Sequence, residues 1–135
     1  MTKARIVLDT NVLVSVVVFG GRPRIALEKV ISGAVAMAIS EEMLEELRWV
    51  LEGQKFCYLP PVVQTILNEL LAVSDLVRPT KRVDVVHADP ADNRIIACAL
   101  ESDADCIVTG DKHLLELGQF EGIPILSVSD FIARP

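Results

Sequence analysis

Four short apolar runs, at residues 4–8, 35–39, 106–108 and 123–126, alternate along the chain with stretches whose apolar residues recur at helical spacing. Strands that alternate with helices build a parallel sheet covered on both faces, because each crossover carries a helix back over the sheet. No repeat, low-complexity tract or linker interrupts the pattern, and 135 residues suffice for one two- or three-layer core but not for two. A single α/β domain over residues 1–135 is therefore expected.

The first strand runs into Asp9-Thr10-Asn11, after which Gly20-Gly21 and Pro23 mark a loop feeding a helix that stops near Gly33. Beyond the second strand, Ser40 is placed to cap a helix reaching Gly53, with Glu41 and Glu42 in the first turn, where the helix dipole favours negative charge. Met43, Leu44, Leu47, Val50 and Leu51 form its apolar stripe. Glu46 falls at the margin of that stripe, whereas Glu42 and Glu45 point to solvent. Pro60-Pro61 opens another amphipathic helix, with Val62, Val63, Ile66, Leu67, Leu70 and Leu71 on one side, and the connection at residues 56–59 suggests a helical hairpin. A strand is expected at residues 83–86, then a helix capped by Asp89 with Pro90 at its first position. Residues 106–108 lead into Thr109-Gly110-Asp111, a short helix ends at Gly118, and Phe131 and Ile132 cover an edge of the last strand.

Composition narrows the function. Hydrophobic residues make up 51% of the chain, but no apolar run, that at residues 16–19 included, approaches the roughly 18–20 residues that a membrane span needs. The basic opening Met1-Thr2-Lys3-Ala4-Arg5 is followed by Asp9 and Asn11, which interrupt any export signal, so the expected location is the cytoplasm. Cys57, Cys98 and Cys106 lack metal or redox spacing and are assigned no chemistry. Nineteen acids against 13 bases give a net charge of −6, which argues against holding nucleic acid by bulk electrostatics but leaves open an enzyme that acts on it. No GxSxG elbow, GxxxxGK[ST] loop or GxGxxG turn is present, and His87 and His113 have no ligand partners at suitable spacing.

What remains is acidic. Asp9, Glu46, Asp92 and Asp111 each fall at a strand end or a helix edge, and in open α/β folds the carboxyl ends of the strands line one crevice. Each has a local explanation. Asp9 can end a strand, Asp111 can cap the helix from Lys112, Asp92 can complete a capping box begun by Asp89, and Glu46 can be a boundary residue. None of these accounts for the common edge. Carboxylates gathered there repel and raise one another's pKa, a cost that a divalent cation removes; oxygen-only ligands favour Mg²⁺ or Mn²⁺ over Zn²⁺.

The strings IVLDTNVLVS (6–15), SEEMLEELRWVL (40–51), DPADNRIIACAL (89–100) and IVTGDKHLLEL (107–117) resemble, in order and spacing, the four acidic blocks of PIN domains, and most of all the VapC-type toxins of prokaryotic toxin–antitoxin systems. The resemblance implies a three-layer α/β/α sandwich with a central parallel sheet, and Mg²⁺- or Mn²⁺-dependent endoribonuclease activity. By position, Asp9, Glu46, Asp92 and Asp111 would be catalytic and bind metal, with Asn11 and Thr109 as supporting polar residues. Asp9 and Asp111 would hold a metal whose one or two sites Asp92 and Glu46 complete, directly or through water. Single-stranded or looped RNA would be the substrate, and a small antitoxin the partner, laying a helix over apolar surface and a basic side chain among Asp9, Asp92 and Asp111.

Arg22, Arg24, Lys81, Arg82, Arg94 and Lys112 lie in or beside loops that could reach substrate phosphates, or are ordinary solvated surface. Trp49 projects from the polar side of its helix, as an interface residue or against the hairpin, and the hairpin stripe could bury a second copy in a homodimer. Three other readings stand beside the toxin: an RNA-processing nuclease, a non-catalytic RNA- or partner-binding module, and a metal-dependent phosphatase or phosphoacceptor. Neither the phosphatase nor the phosphoacceptor fits well, and for the latter the late strand end offers Thr109-Gly110-Asp111 where a lysine would be expected.

Overall fold

The computed structural model describes residues 3–80 and 90–134. In chain order the elements are β1 (Arg5–Leu8), α1 (Thr10–Val18), α2 (Gly21–Ile31), β2 (Ala36–Ser40), α3 (Glu41–Glu52), α4 (Pro60–Ala72), β3 (Asp75–Val77), α5 (Pro90–Glu101), β4 (Cys106–Val108), α6 (Lys112–Leu117), β5 (Gln119–Phe120), β6 (Ile123–Leu126) and α7 (Val128–Ala133). The strands form one sheet in the order β3-β2-β1-β4-β6-β5, parallel except for β5, which pairs antiparallel with β6.

Consecutive residues Ile6, Val7 and Leu8 of β1, and Cys106, Ile107 and Val108 of β4, are all buried. Successive strand residues face opposite sides, so both faces of these central strands are covered. From β1 the chain moves outward through β2 to β3, then returns to the other side of β1 for β4 and β6. Right-handed crossovers in opposite directions put their helices on opposite faces, which yields the three layers expected.

The α3 helix forms as its sequence dictates. Ser40 Oγ accepts the Met43 backbone N–H at 3.2 Å, Met43, Leu44, Leu47 and Leu51 are buried, and Gly53 ends the helix. We expect Ser40→Ala to cost about 1 kcal/mol in urea-unfolding stability, the usual worth of an N-cap hydroxyl. The hairpin with α4 is present, but Val63, Leu67 and Leu70 of the α4 stripe are buried within this chain, leaving Val62 and Leu71 as its exposed members. Most of the stripe that could bury a second copy is thus used internally.

Three expectations change. Residues 10–18 are a helix, and the loop expected around Gly20-Gly21 and Pro23 shrinks to Phe19 and Gly20, with Pro23 already in the first turn of α2, where a missing N–H leaves nothing unsatisfied. The valine-rich run 12–18 disfavours a helix by propensity, and burial of Val12, Leu13 and Val14 overrides it. Strands β3 and β5 are additional to the expected set: β3 carries no apolar run, since it opens on Asp75 and is largely exposed, and the two residues of β5 are too few to show a period. Phe131 and Ile132 belong to a helix, α7, capped by Ser127 and packed on α2 and β6. The expected strand at 83–86, His87, the Asp89 cap, Lys81 and Arg82 lie outside the described residues. No described helix is long and apolar enough to cross a membrane.

Candidate functional site

Strand order reverses between β1 and β4, where Leu8 stands opposite Val108 in parallel register. The residues immediately beyond, Asp9 and Thr109, are therefore neighbours at the carboxyl edge of the switch point, the place where open α/β sheets bind ligands. The ladder continues into them: Asp9 N–H donates to the Val108 carbonyl at 2.9 Å and Thr109 N–H to the Leu126 carbonyl at 2.9 Å. Backbone thus fixes both residues before any side chain contributes.

Thr109 Oγ1 donates to Asp9 Oδ2 at 2.6 Å and accepts the Asp111 backbone N–H at 2.9 Å, so a single buried hydroxyl ties the first acid to the loop bearing the last. Asp111 lies at the N-cap of α6, where Oδ1 accepts from the N–H groups of His113 at 2.8 Å and Leu114 at 3.2 Å. The capping explanation for Asp111 therefore holds, and membership of the cluster is compatible with it. From α3, the partly exposed Glu46 is met by Thr10 Oγ1, which donates to Oε2 at 3.2 Å. Helix α5 packs across β1, β2 and β4 and ends beside the start of β4, so it runs against the strands and opens at their carboxyl edge. Asp92 is buried there, in its first turn.

Asp9 is only 4% exposed, and its carboxyl is pushed up from 3.8 to about 6. Burial is the main cause. The Thr109 hydrogen bond opposes it, the negative charge of Glu46 adds to it, the Thr10 backbone N–H opposes it again, and Asp111 adds a smaller push. Three of the four acids picked out from sequence thus interact electrostatically across β1, α3 and the β4–α6 turn. Among the described residues, no three Asp, Glu, His or Cys side chains stand together as a ready metal cage.

Asn11 is exposed in the first turn of α1, where its carbonyl accepts Ser15 Oγ at 3.0 Å, and no hydrogen bond among the described residues joins its side chain to the acids. Arg22 and Arg24 sit on α2 instead of in a loop; Arg22 donates to Ser129 and Arg24 pairs with Glu28. Arg94 pairs with Glu42 at 3.7 Å and Lys112 with Glu116 at 4.0 Å. Trp49 is 78% exposed, and a shallow pocket beside it is lined by Glu45, Arg48, Glu52 and Gly53. Cys98 and Cys106 are buried, and burial pushes the Cys98 thiol to about 12, which removes thiolate chemistry there. Sequence reading missed Thr10. A hydroxyl whose partner lies 36 residues away leaves no local signature, and Thr10 had been read as the end of a strand.

The fold and this edge together define a parallel α/β domain with an acidic cluster at its topological switch point. The chain belongs to the PIN-domain family, whose model matches residues 5–113, and PIN domains are generally nucleases. Among solved structures it is similar to a chain of VapBC2 from Rickettsia felis bound to a DNA fragment from their promoter, with a TM-score of 0.64 and 16% identity over 91% of this chain and 98% of that one. It is also similar to a chain of DNA-bound VapBC from Salmonella typhimurium, with a TM-score of 0.62 and 18% identity over 95% and 99%. At these identities the likeness concerns the fold. A comparison with curated proteins finds no match.

Proposed function

We propose that this protein is a Mg²⁺- or Mn²⁺-dependent endoribonuclease that cleaves single-stranded or looped RNA, and that it acts as a VapC-type toxin held in check by a small antitoxin. The observation that carries the reading is the Asp9 carboxyl, buried at the switch point of the sheet and raised to about 6 with Glu46 and Asp111 both adding to the rise. Clustered carboxylates are costly unless a cation joins them, and a donor set made only of oxygen fits a hard divalent ion. Membership of the PIN-domain family supports a nuclease, and the likeness to chains of VapBC assemblies supports an antitoxin partner.

In this reading Asp9, Glu46, Asp92 and Asp111 hold the metal. When bound, the cation supplies Lewis acidity that activates water and offsets charge on the phosphoryl oxygens. The chain's own contribution is positional. Thr109 fixes Asp9 and, through the Asp111 N–H, the turn that carries Asp111; the helix amides hold the Asp111 carboxylate, and Thr10 holds Glu46. With an overall charge of −6, and with Arg24, Arg94 and Lys112 each paired with an acid, the protein grips RNA weakly away from this edge, as suits a substrate recognised mainly at the reacting phosphate.

Millimolar Mn²⁺ should raise the melting temperature of the EDTA-treated protein by several degrees, since a ligand bound only by the folded state stabilises it. An equal rise in the Asp9→Asn, Asp92→Asn double variant would put the cation elsewhere. The toxin role is tested in cells. Induction of the wild type should arrest bacterial growth, Asp9→Asn at matched soluble expression should not, and a small protein encoded beside the gene should restore growth. Equal growth of both strains, in a host without a neutralising partner, would leave an RNA-processing nuclease or a binding protein.

A further inference from the structure

Thr10 touches two of the acids at once. Its backbone N–H lies against the Asp9 carboxylate and favours the charged form, while its Oγ1 donates to Glu46 Oε2 at 3.2 Å, joining the first residue of α1 to the middle of α3. The side chain is buried, at 3% exposure. A threonine inside a helix commonly spends its hydroxyl on the carbonyl one turn back, but at the first helical position the preceding residues are strand, and the hydroxyl is released to reach across. Branching at Cβ restricts the rotamers available to it, which makes the hydroxyl a stiff post.

Glu46 needs such a post. It sits at the margin of a buried face on a side chain with three rotatable bonds, and the negative charge of Asp9, with which it interacts, favours rotamers that swing its carboxylate into solvent. We propose that Thr10 is a positioning residue that holds the Glu46 carboxylate at the acidic edge and so sets the affinity of that edge for a divalent cation. The inference rests on the metal-dependent reading above and adds to it a residue outside the ligand set.

The test is calorimetric titration of Mn²⁺ into the wild type, Thr10→Val, Thr10→Ser, Glu46→Gln and the Thr10→Val, Glu46→Gln double variant, each first melted in EDTA to establish a cooperative fold. Thr10→Val should weaken Mn²⁺ binding about tenfold, the scale seen when a residue that orients a ligand is removed. Thr10→Ser should bind like the wild type, because it keeps the donor. In the Glu46→Gln background the valine should cause no further weakening, since its effect runs through Glu46. Should Thr10→Val not melt cooperatively, Thr10→Ala removes the same hydroxyl without adding a methyl. Wild-type affinity in the hydroxyl-free variant, an equal loss in Thr10→Ser, or a loss that persists in the Glu46→Gln background would each overturn the role of Thr10 while leaving the metal site standing. A wild type that binds no Mn²⁺ would instead remove the metal-dependent reading, and this inference with it.

Discussion

In EDTA, the stability advantage of wild type over Asp9→Asn should fall by about 3 kcal/mol between pH 4 and pH 7. The folded-state carboxyl of Asp9 is raised from 3.8 to about 6, a difference of about two pH units at 1.36 kcal/mol each. A raised carboxyl means that the folded protein holds its proton more tightly than the unfolded chain. The stabilisation is therefore complete below about pH 4, declines as pH climbs through the window to about 6, and is gone above it. Subtracting the Asn variant removes the background from the other acids, many of which sit in surface ion pairs. Urea unfolding at half-unit pH steps reads the effect directly. A difference that stayed flat from pH 4 to 7 would mean that Asp9 is neither desolvated nor crowded by Glu46 and Asp111, and the physical case for a cation at this edge would lapse. Millimolar Mn²⁺ should reverse the slope, because metal binding competes with the proton.

The second large effect is on rate. Asp9→Asn and Asp111→Asn should each lower RNA cleavage at least ~100-fold, the scale of losing one preorganised electrostatic group in a transition state. The two changes differ in their structural side effects. In Asp9→Asn the amide oxygen can still accept from Thr109, so the fold should be little disturbed. Asp111→Asn keeps the capping oxygen that accepts two backbone N–H groups but removes the negative charge at the N-terminus of α6, and it should lose up to about 1 kcal/mol in addition to activity. Comparable activity losses with unequal stability losses would separate chemistry from scaffolding.

The sheet was legible in the sequence wherever strands were apolar on both faces, because β1, β2, β4 and β6 each show as a short, mostly apolar run. Helix α3 was legible in detail, from its Ser40 cap through its buried stripe to Gly53, since every signal there is local. Helix α1 was hidden because valine favours strands, and only the tertiary burial of Val12, Leu13 and Val14 makes those residues helical. The acids at the strand ends were legible for the reason that makes them neighbours: parallel strands deliver their carboxyl ends to one edge, so Asp9 and Asp111 meet although distant in the chain. Their hydrogen-bond partners were less so. Thr109 could be named from its position, but its bridging of Asp9 and the Asp111 N–H depends on three-dimensional register. Asn11, one residue from Thr10 and equally polar, points to solvent, because a helix turns about 100° per residue and only one of the two can face the cluster.

The most direct measurement of the central claim is cleavage of a mixed single-stranded RNA pool by purified wild type and Asp9→Asn, each assayed with Mn²⁺ and with excess EDTA. Cleavage by the wild type in Mn²⁺ alone, abolished by EDTA and reduced at least ~100-fold in Asp9→Asn, is the predicted result. Cleavage that persists in EDTA, or that proceeds equally in both proteins, would contradict it.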